Sequence, residues 1–199
     1  MKRDKLTQGG IAMLISKSEY QITGTDLSSY EAEHHFTFPE EYRSFLIKYN
    51  GGETPETNFK AAGVSSDLRS LYGFINTESG LELRPDVFWL DEYLKDGMFP
   101  IGENCFGDNF FVCVQGQGAG AIFFRYHDRP KRYIKVADTF KEFVQKCKSK
   151  KLGHCCTIKE RIIMRLKAKN FAPPSKITLA GWQKEIDHYQ RIHQEELVV

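Results

Sequence analysis

The chain has 199 residues, 41% hydrophobic and 27% charged, with 15 Phe and 9 Tyr. That length fits one globular domain with an appendage or two small ones, which excludes a three-domain reading, and the apolar content excludes wholesale disorder. The formal net charge of +2 conceals a segregation: Glu19 to Asp108 carries 17 acidic and 6 basic residues, a net of −11, whereas Asn109 to Val199 carries 18 basic and 8 acidic, a net of +10.

In chain order, Thr25 or Asp26 can cap a helix running to about His35. Thr37 stands three residues before Glu40 as a capping box, Pro39 occupies the first turn, and Tyr42, Phe45, Leu46 and Tyr49 recur at helical spacing until Asn50, Gly51 and Gly52 end the helix. Phe59 to Val64 and Leu68 to Ile75 read as strands. Asp86 is positioned to cap a helix bearing Val87, Leu90 and Leu94, with Gly97 as terminator, after which Pro100 and Ile101 lead into a loop. Phe110 to Val114 and Ala121 to Tyr126 form a predicted hairpin across Gln115 to Gly120, Ile134 to Val136 adds a strand, and Asp138 caps a helix with Phe140, Phe143, Val144 and Cys147 inward. The order of elements predicts an α+β fold with a mainly antiparallel central sheet flanked by helices.

Beyond Cys147 the composition turns to Lys148, Ser149, Lys150 and Lys151, and a domain over 1–147 followed by a basic helical extension over 148–199 is expected. In that extension Thr157 and Glu160 form a second capping box, Pro173 and Pro174 break the chain, and Thr178 opens a stripe of Leu179, Trp182, Ile186 and Tyr189, which predicts two helices packed on the main domain. Its 11 basic and 5 acidic residues suit a solvated basic face better than nucleic-acid binding, because the Phe171 to Pro174 connection is unlike a helix-turn-helix turn.

Apolar runs such as Ile11 to Ile15 fall far short of the roughly 20 residues a membrane span needs, so no membrane association is expected. Met1, Lys2 and Arg3 look like a signal-peptide start, but the apolar part that follows is brief and no small-residue cleavage site succeeds it, so export is not expected. Five Cys at irregular positions point to reduced thiols and a cytoplasmic protein.

Catalytic and cofactor signals are weak. Gly116, Gly118 and Gly120 give a G-x-G-x-G run, but Ile122, Phe123 and Phe124 continue as a strand where a phosphate cradle needs a helix N-terminus, so a hairpin turn is expected and no cofactor. His154, Cys155 and Cys156 with Cys147 lack the paired C-x-x-C spacing of structural zinc, so no metal is expected. Cys105 with His127 is the one nucleophile–base pair worth testing, without a flanking signature to support it. Glu103, Asp108, His127 and Asp128 lie in loops flanking the central strands, where binding residues collect on a rigid scaffold; turn chemistry is their alternative role.

Phe38, Pro39, Glu40, Glu41, Tyr42, Arg43, Ser44, Phe45, Leu46 and the closing Asn50, Gly51, Gly52 resemble the SUKH superfamily, specifically its Smi/Knr-type domain. Pro100, Ile101 and Gly102 resemble its Pro-Ile-Gly step, Gly107 and Asp108 its Gly-Asp before a strand, Gly120 to Asp128 its strand ending in His-Asp, and Ala137 to Phe143 its last helix. The likeness covers about Thr25 to Cys147 in order, and the basic tail lies outside it. It implies an α+β fold without catalysis: most bacterial members look like immunity proteins that bind and neutralise a toxin, often a nuclease, while fungal members regulate cell-wall assembly.

The expectation is therefore a non-catalytic protein-binding module of immunity or antitoxin type, meeting a cationic toxin through an acidic surface, with Glu103, Asp108, His127 and Asp128 as partner-binding residues. The alternative is a regulatory scaffold recruiting a cellular partner through its C-terminal helices, and the tail also leaves room for a homo-oligomer contact. Folding could instead interleave the two halves and cancel the acidic field.

Overall fold

In the computed structural model, which describes residues 12–78, 80–85, 87–129, 132–168 and 173–199, the first helix opens on a reciprocal cap. The Thr23 hydroxyl accepts the Asp26 N–H at 3.2 Å and the Asp26 carboxylate accepts the Thr23 N–H at 2.7 Å, so α1 spans Gly24–Glu33. The cap lies ahead of the expected Thr25 or Asp26 because Asp26 serves as the box's far partner. Helix α2 spans Glu40–Tyr49, and the expected Thr37–Glu40 box does not form. Pro39 takes the cap position with no side-chain bond and disfavours helical geometry at Phe38, delaying the helix to Glu40. Buried Glu31 of α1 ties this entry down instead, accepting the Phe38 N–H at 2.8 Å and facing Arg43 Nε at 3.5 Å.

Asn50 itself, not a glycine, adopts the left-handed conformation that closes α2 (φ 48°, ψ 48°), a geometry its short polar side chain tolerates. Its amide then clasps the next layer: Nδ2 donates to the Phe74 carbonyl at 2.7 Å and to the Tyr20 carbonyl at 3.1 Å, and Oδ1 accepts the Phe74 N–H at 2.8 Å. Gly51 follows at φ 75°, where a Cβ would stand 2.6 Å from the backbone of Tyr72 and Gly73. The Asn-Gly-Gly signature is thus a tight corner, with close approach on one side and a buried amide clamp on the other.

Strands β1 (Leu14–Lys17), β2 (Gly52–Ala61), β3 (Val64–Leu71), β6 (Met98–Glu103), β7 (Asn109–Cys113), β8 (Ile122–Arg125) and β9 (Ile134–Ala137), with the short β10 (Cys147–Lys148) and β11 (Glu195–Glu196), make a nine-stranded sheet in the order β11-β1-β2-β3-β6-β7-β8-β9, with β10 beside β2. All its pairings are antiparallel. The chain is α+β, as the order of elements predicts. Ala62 and Gly63 join β2 to β3 with positive φ at both positions, the twist-matched hairpin turn. Pro100 and Ile101, expected to lead into a loop, lie within β6; the register shifts between Pro100 and Gly102, a bulge that accommodates the missing proline donor. Strands β4 (Gly73–Thr77) and β5 (Gly80–Arg84) form a separate two-stranded ribbon.

Helix α3 spans Leu90–Lys95, with Trp89 at its cap position and no side-chain cap bond; the expected cap Asp86 lies outside the described residues. Helix α4 (Phe140–Lys146) is capped by Thr139, whose hydroxyl accepts the Glu142 N–H at 3.1 Å, and not by Asp138, whose own N–H donates to the Glu142 carboxylate at 2.6 Å.

Aromatic rings fill the core. Phe99 is buried against Phe38 at 4.8 Å between ring centres and within 6.4 Å of Tyr30, Phe36, Tyr42 and Phe74. Phe110 meets Phe59, Phe124 and Phe143 at 5.0–5.5 Å. Each such ring withdraws enough apolar surface for about 1.5–3 kcal/mol. Phe111, the neighbour of Phe110, turns to the opposite side of the sheet, where Tyr93, Tyr133 and the Arg125 guanidinium close over it.

The chain divides into two compact units, 1–151 with 194–199, and 152–193. The last six residues thus join the first unit, although the extension was expected to run unbroken from 148 to 199. There β11 pairs with β1, Leu197 is buried, and the Val198 N–H donates to the Tyr49 hydroxyl at 3.0 Å. In the second unit, α5 (Ile158–Lys167) begins at the expected Thr157–Glu160 box and α6 (Lys176–Arg191) is capped by Ser175. Arg161 joins them through a two-pronged bond to the Glu185 carboxylate, at 2.7 and 3.1 Å.

Candidate functional site

Register explains which of the expected binding residues meet. Asn109 of β7 stands opposite Arg125 of β8, so the residue before β7 and the one two places after β8 reach the same end of the hairpin. There Asp108 Oδ1 accepts the His127 backbone N–H at 2.9 Å and lies 2.7 Å from His127 Nδ1, while Asn104 Nδ2 donates to Asp108 Oδ2 at 2.9 Å. Burial would raise the Asp108 carboxyl, but the His127 backbone donor, the His127 ring and the Asn104 amide outweigh it and hold the group below the usual carboxylate range. Asp108 is buried and fixes the histidine's orientation, leaving the ring mostly in solvent.

Glu103 and Asp128 are not drawn into that pair. Glu103, half-buried, accepts the Tyr72 hydroxyl at 3.2 Å, and Asn109 donates to the same hydroxyl at 3.0 Å. Asp128 is exposed and lies 3.9 Å from Arg129. The Cys105–His127 alternative does not match these partners: the Cys105 thiol donates to Asp67 at 3.4 Å. Loss of water contact, that bond and the Asp67 charge all push the thiol up, away from the thiolate a nucleophile requires.

Gly116 to Gly118 form a turn of 3-10 helix between β7 and β8, with the Gly120 N–H returning to the Cys113 carbonyl at 2.8 Å, so the glycine run is a hairpin connection. His154 lies 3.2 Å from Glu160, and the Cys155 thiol accepts from Arg161 at 3.6 Å. Among the described residues, no three His, Cys, Asp or Glu side chains are grouped to hold a metal ion.

The acidic block is only partly neutralised. Glu31 faces Arg43, Glu82 faces Arg84 and Glu56 faces Lys150, whereas Glu19, Glu33, Glu40, Glu78, Asp91 and Glu92 are exposed and enter no ion pair with another described residue. Two clefts open on the same unit. One, of about 520 Å³, lies beside Asn50 and is lined by Tyr20, Glu53 and Ile75 among others; the second, of about 440 Å³, lies between α1 and β5. Sequence reasoning passed over Phe88 and Trp89, both exposed before α3. The available signal was their place off the Val87, Leu90, Leu94 stripe, which leaves two large rings with no face of the helix to bury them.

Motif residues committed to caps, corners and core, beside a surface of open carboxylates and aromatic rings, define an α+β domain suited to binding other proteins. A family model described as the SMI1 / KNR4 family (SUKH-1) matches residues 21–146, well over half of the chain, and the chain belongs to that family. Membership supports an immunity or cell-wall-related role exercised through protein binding, in domains that are generally non-catalytic. No curated protein matches the chain. No helix among the described residues is long and apolar enough to cross a membrane.

Proposed function

We propose that this chain is a cytoplasmic immunity-type module that binds a cationic toxin of the nuclease kind and neutralises it stoichiometrically, without catalysis. The observation that carries the reading is the set of exposed carboxylates, Glu19, Glu33, Glu40, Glu78, Asp91 and Glu92, that enter no ion pair with another described residue, on a SUKH-1 domain. Exposed carboxylates speed encounter with a basic nuclease, and carboxylates seated in its groove take the place of phosphates. His127 and Asp128, exposed at the β7–β8 corner, act as further contacts; Asp108 positions the His127 ring, and Glu103 borders the same corner.

The test is co-expression with the toxin encoded beside the gene. Protection of the host and a one-to-one complex whose association slows as salt rises support the reading. Absence of both binding and protection overturns it.

A second reading, a scaffold that recruits a cellular partner through α5 and α6, draws on the exposed Ile163, Met164, Leu166 and Ile177. Replacing 152–193 by a short linker, with Gln194–Val199 kept for their pairing to β1, separates the two. Toxin binding survives that change under the immunity reading, while recruitment is lost under the scaffold reading.

A further inference from the structure

Two large aromatic side chains stand in water just before α3. Phe88 is 85% and Trp89 55% exposed, and their rings meet edge to face at 4.9 Å. Adjacent exposed rings of this size forgo the burial that would stabilise them and are the residue types that dominate binding interfaces. Asp91 and Glu92, exposed and in no ion pair with another described residue, follow at once in the first turn of α3.

The two neighbours of the pair in sequence belong to the wall of a cleft. Val87 and Leu90, flanking the rings in sequence, line the 440 Å³ opening together with Leu81, Leu83 and Glu82 of β5 and Tyr30 of α1. Arg84 also lines it, 3.5 Å from Glu82, but both side chains are about half exposed, so that pair is weak. Tyr30 is 4% exposed, and its hydroxyl has no hydrogen-bond partner among the described residues. Burial pushes the Tyr30 phenol up, and the Glu33 and Asp91 charges act in the same direction.

These features suit one kind of side chain. Aliphatic walls accept a methylene stem, the Glu82 carboxylate of the lining accepts a cationic head, and an exposed indole next to Leu90 in sequence is a stacking partner for a flat cation. Arginine fits better than lysine, because the planar guanidinium stacks on a ring while donating to carboxylates.

We infer that the corner formed by Phe88, Trp89, Asp91 and the α1–β5 cleft is the docking surface for an arginine-bearing segment of a basic protein partner. The inference rests on the immunity-type reading and gives that reading a place on the molecule.

The test titrates the full-length, 15N-labelled protein with the peptide acetyl-Leu-Arg-Leu-Arg-Leu-amide, and with the same peptide carrying uncharged citrulline in place of arginine. The expected result is that resonances of the Trp89 indole N–H and the amides of His34, Leu83, Leu90 and Asp91 shift, with the citrulline peptide bound at least about tenfold more weakly. The double substitution Phe88→Ser with Trp89→Ser abolishes those shifts without altering the rest of the spectrum, and Asp91→Asn weakens them severalfold. Equal binding of the citrulline peptide, shifts confined to the Asn50 cleft or the His127 corner, or no shifts at all would overturn the inference.

With the toxin encoded beside the gene, the same double substitution weakens association at least about tenfold. Unchanged association overturns the docking surface and leaves the immunity reading standing. Arginine-peptide binding at the corner by a protein that binds no toxin supports the surface and overturns the immunity reading.

Discussion

The Asn50 corner and the Phe88 corner lie in one unit and are built on opposite plans. At Asn50 every polar atom of the side chain is committed: the amide clasps Phe74 and Tyr20, and Gly51 lets Tyr72 and Gly73 approach within what a Cβ would occupy. At Phe88 two rings and two carboxylates stand exposed, and the buried Tyr30 hydroxyl has no hydrogen-bond partner among the described residues. The difference teaches where recognition can reside. At the Asn50 corner the motif residues are consumed in making the turn and have nothing left to offer a partner, whereas Phe88, Trp89, Asp91 and Glu92 fall outside the motifs.

The sharpest way to break that contrast is to open the core beneath the saturated corner. Phe99→Ala removes a fully buried ring that touches five other aromatic side chains, and a loss of about 3–5 kcal/mol is expected in urea denaturation. Asn50→Ala comes next. It strips the Phe74 N–H and carbonyl of their partners and places an alanine at φ 48°, and a loss of about 2–3 kcal/mol by the same measurement is expected. A loss below about 0.5 kcal/mol would show the clasp to be incidental.

The smaller corner at Asp108 responds to pH. Its folded carboxyl sits below the ordinary value, so the unfolded chain binds the proton more tightly. The stabilisation is therefore complete above the ordinary carboxylate range and disappears as pH falls through the depressed folded value. Asp108→Asn should cost about 1–2 kcal/mol at neutral pH and flatten the acid limb of a stability–pH curve. An acid limb unchanged from the wild type would show that the carboxyl is not held by His127 and Asn104. In the helical unit the Thr157 backbone N–H, the Thr157 hydroxyl and His154 together push the Glu160 carboxyl down to about 2. Helicity of α5 by circular dichroism is therefore expected to fall as pH drops from the ordinary glutamate range toward that value, and Glu160→Gln should remove the dependence.

Much of this was legible in the sequence where local chemistry decides the outcome. The apolar spacing of α2 and α4, the β7–β8 hairpin, and the Thr157 box follow from neighbours within a few residues. What stayed hidden depends on distant partners. Glu195 and Glu196 have no strand pattern, and only their pairing with Leu14 and Ile15, the burial of Leu197 and the Tyr49 hydroxyl make them an edge strand. The proline in β6 reads as a loop because its bulge exists only against β7. Asp108 and His127 were each visible as loop residues, but their union required the β7–β8 register. Phe88 and Trp89 stood off the apolar stripe of a helix whose first turn lies further along, at Leu90.

The last contrast is an asymmetry of effect within a single pair of changes. Phe88→Ser with Trp89→Ser removes more aromatic surface than Phe99→Ala does, yet the rings are 85% and 55% exposed, so the folded state loses little that the unfolded chain keeps in water. Stability is expected to change by no more than about 0.5 kcal/mol, and the urea midpoint to hold. A loss of 2 kcal/mol or more, on the order of a core truncation, would mean that the rings support the fold, and the corner would then belong with Asn50 and not apart from it.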